Sequence, residues 1–278
     1  MKRSLLILFR FALSGCFILV PASHAQSRDG SSTFRTMQYT SRSQKEAIQW
    51  QYELRSKLFA LLRMSDLIAA HASIPLEPKW IRSEKREYYT WQEWSIRSTP
   101  TRTGRTMNIV ITIPHGPTPP YPAVVCISGH GGNRNAVYDT EGIYHGFAEE
   151  LAKKNYVTIS CDVAQHEVYE RNRTLMGERL WDTIRCVDYL HSLPFVDKGR
   201  IGCAGLSLGG EMTMWLGAMD PRVAVVVSSG FLTVMDQMEQ NHCMCWKFDG
   251  LRELVDFADL YSMIAPRPLQ CQNGLKED

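Results

Sequence analysis

Hydrophobic and polar positions follow two patterns in the first part of the chain. Between residues 43 and 71, apolar side chains recur at helical spacing, which predicts an amphipathic helix packed on the main domain. Segments 88–98 and 105–113 instead alternate apolar and polar side chains, as an antiparallel strand pair does. A Pro-rich loop at 114–120 follows this pair. The pattern therefore predicts a helical cap and then two paired strands.

Beyond residue 120, short and continuously apolar segments alternate with helical ones. The predicted strands lie at 123–127, 156–161, 200–204, 223–227 and 269–272, and the predicted helices lie at 144–154, 180–193 and 211–219. Apolar strands that alternate with helices indicate a parallel sheet covered on both faces. Ligands of such sheets bind at the carboxyl ends of the strands. The predicted fold class is therefore α/β, with a mostly parallel sheet.

Composition fits a single globular domain. The 278 residues are 44% hydrophobic and 22% charged, enough for one sizeable core but not for a second full domain. A formal net charge of +2 gives no indication of nucleic acid or an anionic membrane as partner. We expect a polar leader and helical cap at 26–85 and a catalytic domain at 86–278.

The first 25 residues resemble an export signal. Basic residues at 2 and 3 precede an apolar run at 5–20, and small residues lead up to Ala25, after which we expect cleavage. The run is too short for a comfortable membrane span. An alternative is lipid attachment at Cys16, although the apolar run continues beyond that cysteine. The predicted location is secreted or periplasmic, with lipid anchoring as the alternative.

The cysteines and histidines do not suggest a metal centre by their spacing. Seven of eight cysteines would remain after signal removal, and this odd number argues against a disulfide scaffold. His242, Cys243 and Cys245 are three potential ligands within four residues, but no second ligand pair stands at a usual spacing. No metal or other cofactor is predicted. Five histidines are expected to be surface or packing residues: His71, His115, His145, His166 and His191.

A serine flanked by glycines carries the main chemical signal. Gly205, Ser207 and Gly209 form G-x-S-x-G between a predicted strand and a predicted helix, which is the pattern of a nucleophile elbow. The alternative is an ordinary Gly-Ser loop. A serine nucleophile needs a base, a group that orients the base, and donors for the oxyanion.

A second glycine-rich loop could supply those donors. Residues 128–133 follow a predicted strand, and they lack the Lys-Ser/Thr of a phosphate-binding loop and the third glycine of a dinucleotide fingerprint. We expect the oxyanion to be bound by the Leu208 N–H together with an N–H at Gly131 or its neighbour His130.

The triad acid should follow a later strand. An acidic turn ends the sequence, and either Glu277 or Asp278 could orient a histidine. Asp236 is a less favoured alternative, since it follows the preceding predicted strand.

Four stretches together resemble the dienelactone hydrolase and acetyl xylan esterase-like branch of the α/β-hydrolases. They are 128–133, 181–190, 205–210 and 264–274. The resemblance implies the α/β-hydrolase fold, Ser207 as nucleophile, and an acid three residues after Gly274, which is Glu277, with Asp278 beside it. Asp182, Arg185 and Asp188 stand three or six residues apart on one face of a predicted helix, so we interpret this mixed-charge cluster as structural, an ion pair bracing the loop before the elbow, and not as catalytic.

The resemblance also implies a histidine after the acid, and none follows Asp278. We therefore expect the sequence to be C-terminally incomplete, to lack the last strand and helix of the fold, and to have little activity in its 278-residue form. His242 could line the pocket, but as base it would break the usual order of the triad.

The predicted function is an exported serine esterase that works through an acyl-enzyme. The resemblance suggests acylated carbohydrates of the acetyl xylan type as substrates. Two alternatives stay open: a peptidase like prolyl oligopeptidase, and a catalytically dead fold used for binding. A small-molecule or carbohydrate ester is the expected partner.

Overall fold

The computed structural model describes residues 35–100, 104–116 and 118–274, which lie in one compact unit that spans 34–278. The predicted signal peptide, Cys16, Glu277 and Asp278 lie outside the described residues. Eight strands form one sheet. They are β1 (Lys79–Lys85), β2 (Tyr89–Arg97), β3 (Thr106–Pro114), β4 (Tyr121–Ile127), β5 (Val157–Cys161), β6 (Val196–Leu206), β7 (Val225–Ser229) and β8 (Leu269–Gln272).

The sheet is mostly parallel, in the order β1-β2-β3-β5-β4-β6-β7-β8. The pairs β1–β2, β2–β3 and β3–β5 are antiparallel, and every later pair from β5 to β8 is parallel. The order reverses around β4, which lies between β5 and β6. In an open α/β sheet, such a reversal places a ligand crevice at the carboxyl ends of the strands.

Helices cover both faces of the sheet. They are α1 (Gln44–Leu61), α2 (Ser65–Ala70), α3 (Phe147–Lys153), α4 (Leu175–Ser192), α5 (Leu208–Met219), α6 (Met235–Asn241), α7 (Leu251–Leu254) and α8 (Phe257–Ser262). Neighbouring residues of β4 belong to two separate cores. Cys126 packs in the core that contains Ala148 of α3, whereas Val125 belongs to the core of Leu180 and Met212 from α4 and α5. This alternation confirms the predicted α/β-hydrolase fold.

The N-terminal helical segment is divided where a single helix was predicted. Helix α1 ends at Leu61, Arg63 takes a positive φ of 57°, and α2 begins at Ser65. Leu54 and Leu58 are fully buried against the domain. Ile48, which the pattern assigned to the apolar face, is 58% exposed, so the buried stripe is narrower than predicted.

The charged residues of α4 brace parts of the molecule other than the one predicted. Asp188 accepts hydrogen bonds at 2.7 Å from His71, from Arg185 and from Arg222, which follows α5. Asp182 binds the Arg105 guanidinium through both carboxylate oxygens at 2.7 Å. Asp188 therefore links α4 to the N-terminal segment and to the turn after α5, and Asp182 links α4 to the start of β3, whereas neither carboxylate reaches the loop before the elbow. None of the described helices is long and apolar enough to cross a bilayer.

Candidate active site

Ser207 lies on a sharp turn between β6 and α5. Its backbone angles are φ 60° and ψ −122°, a region that residues other than glycine rarely occupy. Its N–H donates to the Ser229 carbonyl at 2.9 Å, and its own carbonyl accepts from the Glu211 N–H at 3.0 Å. Hydrogen bonds on both sides hold this strained conformation, and the side chain is exposed.

The two flanking glycines are required by close packing. A Cβ added at Gly205 would overlap the Gly209 carbonyl and lie 2.8 Å from the Ile127 oxygen. A Cβ added at Gly209 would overlap the Ile127 carbonyl and lie 3.0 Å from the Ser128 oxygen. The turn thus packs backbone against backbone at the end of β4, and only glycine permits this approach.

The loop after β4 lies directly beside the serine. A Cβ added at Gly129 would stand 3.1 Å from the Ser207 Cβ. The Gly129 N–H donates to the Tyr144 hydroxyl at 2.6 Å, and the Gly132 N–H donates to the Gly129 carbonyl at 3.1 Å. Gly131 has a φ of 71° with open space around it. The loop is therefore a hydrogen-bonded turn that faces Ser207.

Three backbone donors remain for a substrate oxygen. Within the described part of the chain, the N–H groups of His130, Gly131 and Leu208 donate to no protein acceptor. Leu208 is the first residue of α5, where N–H groups have no partner inside the helix. These N–H groups, from the elbow and from the loop, are therefore candidates for the predicted oxyanion hole, which stays a prediction.

Ser207 opens into a cavity of about 570 Å³. Its lining includes His130, Leu208 and His242, together with Gly274 at the end of the described chain. No histidine among the described residues hydrogen-bonds to the Ser207 hydroxyl. His242 lines the cavity and is exposed, and its role stays a prediction.

Of the three candidate acids, only Asp236 lies in the described part of the chain, and it does not lie beside Ser207. Asp236, the less favoured alternative, has a side chain that is 74% exposed and paired with Arg252. It is absent from the described lining of the cavity. Glu277 and Asp278 stay predictions.

Sequence analysis did not identify Glu211, a carboxyl group in the first turn of α5. Glu211 lines the cavity and is only 2% exposed. Burial raises its pKa to about 8, although the nearby Arg179 guanidinium acts in the opposite direction. The signal available in the sequence was an acidic residue in an otherwise apolar helix.

Two histidines from distant parts of the sequence lie beside the cysteines of 243–245, although no second ligand pair stands near them in sequence. His130 and His166 meet Cys243 and Cys245, and one ligand atom from each of the four lies within 4.8 Å of the others. His166 was predicted to be a surface or packing residue. The pairing was missed because the two histidines are 115 and 77 residues away from their cysteine neighbours in sequence.

Comparison with known proteins agrees with this architecture. The sequence profile of the prolyl oligopeptidase family matches residues 165–258, about a third of the chain. YtaP of Bacillus subtilis, assigned as a hydrolase, is 27% identical over 173 residues, which are 54% of this chain and 58% of YtaP. The chain thus spans little more than half the length of this relative.

Two solved structures share the fold. A Bacteroides fragilis protein assigned as an acetyl xylan esterase superposes with a TM-score of 0.69 at 20% identity, covering 88% of this chain and 73% of that one. A glucuronoyl esterase from Solibacter usitatus gives a TM-score of 0.55 at 15% identity, covering 73% and 69%. These comparisons confirm the α/β-hydrolase fold that the predicted resemblance implies.

Proposed function

We propose that this α/β-hydrolase is an exported serine esterase whose substrates are acylated carbohydrates. The observation that carries the proposal is Ser207, held at a φ of 60° on a glycine-flanked turn, exposed to a cavity and faced by the loop of Gly129. A strained and exposed serine between strand and helix is the form that nucleophiles take in this fold.

The reaction would proceed in two halves. The Ser207 hydroxyl gives its proton to a base and its oxygen attacks the ester carbonyl carbon, forming a tetrahedral oxyanion. The N–H of Leu208 and an N–H at His130 or Gly131 stabilise that oxyanion, each contributing about 3 kcal/mol in the transition state. The alcohol leaves with a proton, and water then hydrolyses the acyl-serine by the same route.

The base is proposed to be a histidine oriented by Glu277 or Asp278. Because no described histidine contacts the Ser207 hydroxyl, we expect slow turnover from the 278-residue chain. Loss of a triad base lowers turnover by about a millionfold. His242 is proposed to contact substrate and not to act as the base.

The carbohydrate class is supported by the neighbouring folds and by the cavity. The two solved structures are named for an acetyl xylan esterase and a glucuronoyl esterase. Thr233, Gln237 and Asn273 add hydroxyl and amide groups to the cavity wall. Such groups can donate to and accept from sugar hydroxyls.

Imidazole supplies the test, because it can replace a missing base. We expect imidazole to increase hydrolysis of p-nitrophenyl acetate by the wild-type chain beyond the rate of imidazole alone. Ser207→Ala should remove this increase, whereas the control Ser73→Ala, on the surface after α2, should keep it. His242→Asn should lower the rescued rate by less than about tenfold.

Each outcome decides between the candidates. Equal imidazole-dependent hydrolysis by wild type and Ser207→Ala would contradict the esterase proposal and favour a non-catalytic binding protein. A loss in His242→Asn as complete as in Ser207→Ala would make His242 the base. Acetylated xylan would then replace the aryl ester, and acetate release dependent on Ser207 would support the substrate class.

A peptidase is the second candidate, and the family match over residues 165–258 favours it. That region contains both Ser207 and His242. A prolyl p-nitroanilide peptide is the substrate that separates the two reactions. We expect Ser207-dependent hydrolysis of the ester to exceed that of the peptide; the reverse preference would support the peptidase.

A further inference from the structure

We propose that His130, His166, Cys243 and Cys245 bind one zinc ion, which ties together three loops at the carboxyl edge of the sheet. His130 follows β4, His166 follows β5, and the two cysteines follow α6. None of its four ligands is the nucleophile, although the backbone N–H of His130 is among the donors proposed for the oxyanion.

The distances fit a tetrahedral metal site. Nε2 of His130 lies 3.2 Å from Sγ of Cys245, and Nε2 of His166 lies 3.3 Å from Sγ of Cys243. All four ligand atoms lie within 4.8 Å of one another. Zinc bonds of about 2.3 Å to sulfur and 2.0 Å to nitrogen, at tetrahedral angles, separate the nitrogen and sulfur atoms by about 3.5 Å. The two nitrogen–sulfur pairs at 3.2 and 3.3 Å need shifts of a few tenths of an ångström, and any pair as wide as 4.8 Å would have to close by about 1 Å to complete the coordination.

The donor set selects the metal. Two thiolates and two imidazoles are soft or borderline ligands that suit Zn²⁺ and disfavour Mg²⁺ and Ca²⁺, which prefer oxygen. Binding releases one proton from each thiol, so the two thiolate charges balance the charge of the ion. Four protein ligands leave no open position, which is typical of a structural zinc site.

The surroundings also suit a thiolate-bound ion. The guanidinium of the fully buried Arg179 donates to Sγ of Cys245 at 3.3 Å, and its other nitrogen donates to the Gln165 carbonyl at 2.5 Å. It thereby connects a ligand sulfur to the residue before His166. Such outer contacts orient the ligands of metal sites. The rings of His130 and His166 stack at 5.3 Å, which neutral, metal-bound imidazoles tolerate better than two cations would.

The zinc would act on the proposed reaction through position. His130 belongs to the loop whose N–H groups face Ser207, and Cys243 and Cys245 line the same cavity. An ion bound to both segments would fix the loop relative to the opposite wall of the cavity. The zinc would thus hold the loop of residues 128–133 in position beside Ser207.

Metal content of the full chain provides the test. The chain is exposed to Zn²⁺ in the presence of a thiol-free phosphine reductant and is then desalted. We expect plasma mass spectrometry to find about one zinc per chain. Cys243→Ser and His166→Asn should each retain less than about a fifth of that amount. Two matched controls should keep the full amount: Cys271→Ser, on β8, and His115→Asn, after β3.

Cobalt gives a readout of ligand identity. We expect Co²⁺ to produce thiolate charge-transfer absorption and the intense visible bands of a tetrahedral site, and Cys243→Ser to weaken both. A wild-type chain that takes up no zinc, or a Cys243→Ser chain that takes up as much, would overturn the proposal. A Cys243–Cys245 disulfide that persists in the reductant would also overturn it. Neither assay depends on ester hydrolysis, so the two proposals can fail separately.

Discussion

At the scale of single residues, Ser207 and Glu211 both occupy states that an isolated residue would avoid. The backbone of Ser207 is strained, and such conformations cost about 1–3 kcal/mol each. Glu211 is buried in the same first turn of α5, and its carboxyl oxygen Oε1 has no partner among the described residues. Residues held in unfavourable states at one cavity are characteristic of functional sites.

Glu211 makes stability depend on pH. In the folded protein the Glu211 carboxyl group keeps its proton up to about pH 8, whereas in the unfolded chain this group loses the proton near pH 4.3. Between these values the unfolded state binds fewer protons, so the free energy of unfolding falls as pH rises, by up to about 1.4 kcal/mol per pH unit. We expect Glu211→Gln to gain stability over wild type from pH 5 to pH 8.

Urea unfolding at pH 5, 6.5 and 8 measures this effect, with a chelator in all samples so that no metal charge contributes. Glu150→Gln, at an exposed position of α3, is the control and should follow wild type. A constant difference between Glu211→Gln and wild type at the three pH values would contradict the raised pKa.

At the scale of helices and strands, the sequence predicted those features whose determining residues lie close together in the chain. The elbow was recognisable because its glycines lie within two residues of Ser207 and its helix follows at once. Strand β1 was missed because every one of its residues is exposed, so no alternation of apolar side chains marks it. It pairs with β2 through backbone hydrogen bonds, which any sequence can make.

Helix α4 anchors distant elements through Asp188. The Arg185 side chain, 2% exposed, pairs with Asp188 at 2.7 Å, and His71 and Arg222 bind the same carboxylate. Removing one partner of a buried pair leaves an uncompensated charge. We expect Asp188→Asn to lower the free energy of unfolding by about 2 kcal/mol. Asp197→Asn, at a solvent-accessible pair with Arg200, should leave urea unfolding close to that of wild type. Equal losses would refute the anchoring role.

At the scale of the whole molecule, the sheet decides which loops meet. Loops after β4, β5, β6 and β7 reach the same edge, and this edge holds Ser207, His130 and His166. The strand pattern predicted the edge, but not that His166 would face cysteines 77 residues later. Such pairings depend on the path of each loop, and loop geometry is set by tertiary contacts that periodicity does not encode.

The prediction of export concerns the full chain, because residues 1–25 resemble a signal peptide. We expect the chain, expressed in a bacterium with this leader, to leave the cytoplasm and to begin at Gln26 by N-terminal sequencing. Ala25→Arg should block the cleavage, since signal peptidases require a small residue there, and Cys16→Ser should leave it unchanged. A mature chain that begins with a lipid-modified Cys16 would establish the anchored alternative instead.

The pairing of β1 with β2 has a consequence for any shortened form of the protein. The boundary predicted at 85/86 falls between these two strands, so a chain that starts at residue 86 would leave β2 as the outermost strand. Its unpaired backbone and the Trp91 and Trp94 side chains would then offer a template for intermolecular strand pairing. Lys79, Arg82 and Lys85 on β1 discourage such pairing now, because their charges repel a second copy. The same cut removes α1 with its buried Leu54 and Leu58, so the shortened chain would both lose stability and aggregate.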